Sequence, residues 1–72
     1  MNQNEKVLRH MQDFGGISSM EAFQDYGITR LSARISDLRH AGHIISAKRQ
    51  TSRNRYGDKV SFCLYWLEEE LG

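Results

Sequence analysis

Arginine and lysine are the residues whose placement in this chain points to chemistry. Arg30, Arg34, Arg39, Lys48, Arg49, Arg53, Arg55 and Lys59 fall within residues 30–59 against only Asp37 and Asp58, a local excess of six positive charges in a chain of net charge +1. The flanks have the opposite sign. Lys6 and Arg9 are outnumbered by Glu5, Asp13, Glu21 and Asp25 in residues 1–29, and residues 60–72 carry only Glu68, Glu69 and Glu70. Cations concentrated in this way are the footprint of a surface that meets phosphates. Arginine adds a specific geometry, because its planar guanidinium can donate two bonds to O6 and N7 of guanine, which lysine cannot copy. One such pair discriminates by about 1–3 kcal/mol.

Other chemistries have weaker support. His40 and His43 are three apart, but no Cys, Asp or Glu completes a recognised ligand pattern and Gly42 interrupts the helix between them, so no metal site is expected. Cys63 has no base motif beside it and reads as a small packed side chain rather than a nucleophile. Gly15 and Gly16 lack the lysine and spacing of a phosphate loop. The expectation is a binding protein with no catalytic residues and no cofactor.

The elements that must position these arginines can be read from period and punctuation. Seventy-two residues, 39% apolar and 26% charged, allow one globular domain, residues 1–72, with one small core. No apolar run reaches the roughly 20 residues of a membrane span, and Glu5 and Lys6 stand where a signal peptide would be apolar, so a cytoplasmic protein is expected. The first helix is predicted from an N-cap at about Asn4 to Phe14, with Val7, Leu8, Met11 and Phe14 on its buried face and Gly15-Gly16 as its stop. Ser18 and Glu21 form the pattern of a capping box, opening a second helix to about Asp25 with Ala22 and Phe23 inward. After Gly27, Thr29 is the expected N-cap of a third helix from Arg30 to Ala41, closed by Gly42, with Leu31, Ile35 and Leu38 as its core stripe. Two strands follow, Ile44 to Arg49 and Lys59 to Leu67, joined by a polar loop from Gln50 to Asp58. Alternation in the second strand suggests that Val60, Phe62, Leu64 and Trp66 face the core.

Three helices and then a basic hairpin define an α+β chain. Residues 17–45, ISSMEAFQDYGITRLSARISDLRHAGHII, resemble the small winged helix-turn-helix domains of bacteriophage and prophage genomes, most sharply over Gly27 to Gly42. The likeness departs from the commonest pattern at Phe23, where Ala is usual, and at Ser36, where an aliphatic is usual. It implies a winged helix-turn-helix fold of three helices followed by a two-stranded β-hairpin wing, with the third helix reading a major groove.

At about 100° per residue, Thr29, Ala33, Ser36 and His40 lie opposite the core stripe of the third helix, with Arg30 and Asp37 beside them and Arg34, Arg39 and Ser32 at the flanks. Small residues at the centre would let the helix sink into a groove. Arg30 and Arg34 are then the candidates for base edges, and Thr29 and Ser32 for phosphates. Arg34 is equally spaced to pair with Asp37, an interaction worth about 0.2–0.5 kcal/mol on a surface helix. The wing candidates are Lys48, Arg49, Arg53, Arg55 and Lys59, above all Arg53 and Arg55, while Tyr56 is expected to pack on the hairpin. The expected partner is double-stranded DNA, bound by a transcriptional regulator or recombination accessory factor. The alternative is a protein-binding winged helix, such as a phage-encoded inhibitor of a host protein or ribonucleoprotein complex. A homodimer suits so short a reading surface, with Trp66, Leu67 and Leu71 as one candidate interface.

Overall fold

In the computed structural model, which describes residues 2–68, the chain runs α1 (Gln3–Phe14), β1 (Ile17–Ser18), α2 (Ser19–Tyr26), α3 (Leu31–His40), β2 (Ile45–Arg53) and β3 (Lys59–Leu67). The three strands form one antiparallel sheet in the order β1-β3-β2. Val7, Met11, Ile17, Ala22, Ile28, Leu31, Ile35, Leu38 and Ile45 make a single buried cluster between the helices and the sheet. The three-helix, hairpin-winged α+β architecture expected from the sequence is therefore the one observed. β1 was not anticipated. Two residues carry no readable alternation, and only their pairing with Tyr65 and Leu64 makes Ile17 and Ser18 a strand.

α1 begins earlier than predicted. Asn2, not Asn4, is its N-cap, and the Asn2 side-chain oxygen accepts from the Glu5 N–H at 2.8 Å. Phe14, expected in the core, is 74% exposed and packs at a tilt against the His10 ring, their centroids 4.7 Å apart. His10 holds the inward position instead. It is buried, and its Nδ1 lies 2.8 Å from the Tyr26 hydroxyl and its Nε2 3.4 Å from Glu21. A carboxylate only accepts, so Nε2 donates to Glu21, and the ring ties α1 to both ends of α2.

The capping box of α2 is formed as expected: the Glu21 N–H donates to Ser18 Oγ at 3.1 Å and the Ser18 N–H to the Glu21 carboxylate at 3.0 Å. Burial alone would raise the Glu21 pKa, but bonds from Ser18 and His10 to its ionised form outweigh this and hold it below the ordinary 4.5. A lowered carboxylate pKa supplies stability above the unfolded value, which is lost as pH falls through the lower folded one. Glu21→Gln, which keeps the box geometry, should therefore melt lower than the parent at pH 7 and approach it as the pH is taken below the ordinary 4.5 and through the lower folded value. An equal gap at both pH values would show that the charge contributes nothing.

α2 continues to Tyr26 and ends on Gly27, whose φ of 69° is left-handed. A Cβ at Gly27 would meet nothing within 4 Å, so a substitution there is opposed by backbone strain alone. Gly27→Val should cost about 1–3 kcal/mol in a denaturant titration and Gly27→Asn distinctly less, because Asn tolerates this region. Equal stability of Val and Gly variants would remove the left-handed turn from the account. Phe23 is not inward as predicted but 59% exposed, because Ala22 sits at the centre of this short helix's buried face and Phe23 lies about 100° round from it.

α3 starts at Leu31 rather than Arg30. Thr29 is not its N-cap; Arg30 takes that position without a side-chain cap bond. The start is set by the core, since Ile28 is buried with its N–H on the Ala22 carbonyl and Leu31 is the next residue to drop inward. Ala41 lies just outside the helix as its C-cap, and Gly42 follows with φ 106°.

β2 is longer than predicted, running to Arg53, so the connection shrinks to residues 54–58. Asn54 organises this turn, its side-chain oxygen accepting from the Tyr56 and Asp58 N–H groups, with Gly57 left-handed. The orientation of β3 is the reverse of the prediction. Tyr65 and Leu67 pack against the core, so Val60, Phe62, Leu64 and Trp66 point the other way. Leu67 is thus packed against the core, while Glu69, Glu70 and Leu71 lie outside the described residues.

Candidate nucleic-acid interface

α3 is held on its inner side by Leu31, Ile35 and Leu38, which leaves the opposite side to solvent. Thr29, Arg30, Ser32, Ser36, Asp37 and His40 are exposed and Ala33 is half-buried. His40 turns its ring onto its own helix, Nδ1 donating to the Ser36 carbonyl at 2.8 Å. Arg30, at the mouth of the first turn, projects from the end where backbone N–H groups favour anions.

Arg34 is placed differently. Its Nη1 donates to Gln3 Oε1 at 3.1 Å and its Nη2 lies 3.2 Å from Asp37 Oδ2, with its side chain 31% exposed. Its Nε is buried with no hydrogen-bond partner among the described residues, in an open cleft between the start of α1 and α3 lined by Asn2, Gln3, Asn4, Arg34 and Asp37. The guanidinium thus bridges two helices. Of the two arginines expected at base edges, Arg30 is exposed and Arg34 makes the α1–α3 contact.

The hairpin divides its charges by face. Arg49 is opposite Cys63, and Arg53 opposite Lys59, in the same alternating set as Tyr65, so Arg49, Arg53 and Lys59 lie on the face that carries the helices. Lys48, opposite Leu64, is on the other face. Arg55 is in the exposed turn beside Tyr56, and Arg53 Nη1 donates to the Gly57 carbonyl at 2.8 Å, bracing the tip. Tyr56 does not pack on the hairpin as predicted: it is 84% exposed, since Asn54 draws its backbone N–H inward and the ring is left outside. The molecule measures 42 × 24 × 20 Å along its principal axes, so its long axis exceeds the roughly 34 Å of one turn of B-DNA.

A family model described as a winged helix-turn-helix domain matches residues 2–70. The chain belongs to that winged helix-turn-helix family. No curated protein and no solved structure matches it. Membership of this family points to DNA binding. Among the described residues, no helix is long and apolar enough to cross a membrane.

In this winged helix-turn-helix domain α2 and α3 are the two helices of the motif, residues 27–30 make its turn, and the β2–β3 hairpin is the wing. One residue that joins these parts escaped sequence reasoning. Arg39, near the end of α3, donates from Nε and Nη2 to the Ile45 carbonyl at 3.2 and 2.8 Å, fastening the helix to the root of the wing. Its place beside the core stripe was legible. The carbonyl it would reach was not, because that depends on how the chain turns at Gly42.

Proposed function

We propose that this domain, taken as residues 1–72, binds double-stranded DNA sequence-specifically in the cytoplasm without catalysing a reaction, as a phage or prophage transcriptional regulator or recombination accessory factor. The observation that carries the reading is that Arg30, at the start of α3, and Arg49, Arg53, Arg55 and Lys59, on the wing, are all exposed, as are the small residues Ser32 and Ser36 of α3. α3 lies in the major groove, where Arg30 reads a base edge and Thr29 and Ser32 contact phosphates. Ala33 lets the groove close over the helix, while Asp37 and His40 border the contact. Arg34 fixes the angle of α3 against α1 and acts as a positioning residue. Arg49, Arg53, Arg55 and Lys59 neutralise phosphates beside the groove, and Lys48 stands behind them on the far face. Fluorescence anisotropy against mixed-sequence duplex DNA at two salt concentrations tests this directly. Binding that weakens steeply with salt supports it, and no binding at low salt from a folded sample overturns it.

A further inference from the structure

The more apolar face of β3 is not the one that meets the helices. Val60, Phe62, Leu64 and Trp66 occupy successive positions on the outer face of β3, the central strand, and their neighbours across the ladder on β2 are Ser52, Gln50, Lys48 and Ser46. Val60 is 38% exposed, and the other three are half-buried. A soluble sheet usually alternates apolar-in and polar-out, so a continuous apolar row on the outside marks a contact surface.

Trp66 is already prepared for burial. Its Nε1 donates to Glu68 Oε1 at 2.7 Å, and Ser46 Oγ donates to the same oxygen at 2.8 Å. The indole can therefore be covered without orphaning its N–H, as suits an interface anchor.

We infer that this face is a self-association surface, on which two copies of the chain pack sheet to sheet. Charge selects the occupant. Among the described residues the face carries Lys48 and, at its end, the Glu68 carboxylate engaged by Trp66 and Ser46, so it offers little to a strongly acidic or basic partner. A second copy matches it. A two-fold axis across the strands between Phe62 and Leu64 sets Val60 against Trp66 and Phe62 against Leu64 of the other copy, and Lys48 over Gln50, so that no like charges are opposed within the paired strands β2 and β3. Six residue steps make the row about 20 Å long, and with the flanking strands it offers on the order of 500 Å² per copy. That is near the lower limit for a specific interface, so the dimer forms in a concentration-dependent way. Arg49, Arg53 and Lys59 lie on the opposite face and stay free. The inference stands without the DNA-binding reading.

Sedimentation equilibrium of the full chain without nucleic acid, from about 10 µM to 1 mM, tests it. The parent should pass from monomer toward dimer across this range. Val60→Lys and Phe62→Arg should each weaken association on the order of tenfold or more. Circular dichroism verifies folding, and because Val60 lies outside the core cluster, its variant decides the matter if Phe62→Arg does not fold. A parent that stays monomeric throughout overturns the inference. So does a dimer that folded Val60→Lys leaves equally strong.

Discussion

Replacing Arg49, Arg53 and Arg55 together by alanine is expected to make DNA binding both weaker and much less sensitive to salt. All three are exposed on the wing, with Arg49 and Arg53 on its helix-side face and Arg55 in its turn. Each phosphate contact contributes about 0.9 to the slope of log affinity against log salt, so losing three removes about 2.7. Between 50 and 200 mM salt the parent should then lose roughly 40-fold more affinity than the variant. The corresponding triple lysine variant keeps the charges and should keep most of the slope. Arg53 also braces the turn through Gly57, so the lysine variant separates lost charge from a slackened tip. A parental salt slope in the alanine variant would mean that the wing does not reach the backbone. Arg30→Ala should behave differently, costing about 1–3 kcal/mol against a preferred site and little against random duplex.

The second large effect concerns the core that aims α3. Ile35 is 1% exposed, at the middle of the buried stripe between Leu31 and Leu38. Truncation to alanine removes three buried carbons and leaves a cavity, at a cost of about 2–5 kcal/mol. A domain of this size has only about 4–10 kcal/mol of stability in total, so Ile35→Ala should leave it near the edge of unfolding in a urea titration. Phe23→Ala is the contrasting variant. Phe is the larger side chain, yet at 59% exposure its truncation should change stability by no more than about 0.5 kcal/mol. If Phe23→Ala proved the more damaging of the two, the orientation of α2 described above would be wrong.

The contrast between Ile35 and Phe23 shows how far local sequence could be read. Ile35 belongs to a three-residue stripe over a ten-residue helix, and such a pattern has one buried direction. Phe23 belongs to an eight-residue helix whose inward side is occupied by Ala22, and a short helix constrains its own rotation weakly. The same limit applies to β3. Alternation separated its two sets of side chains correctly, but a period of two does not say which set meets the helices. Here the short β1 pairing, with Ile17 in the core opposite Tyr65, settles the matter.

What the sequence determined by itself was therefore whatever depends on near neighbours. The capping box of Ser18 and Glu21, the glycine stops after α1 and α2, the stripe of α3, the full extent of β3 and the concentration of cations in residues 30–59 are all of this kind. Tertiary structure alone decided what depends on residues far apart in the chain. Arg34 meets Gln3 across thirty-one positions, His10 meets Tyr26 across sixteen, and the polar half of β2 is a strand only because β3 lies beside it to accept and donate its hydrogen bonds. The wing there has water on both faces, so no apolar alternation could announce it, and the ladder that holds it exists only once the hairpin has closed.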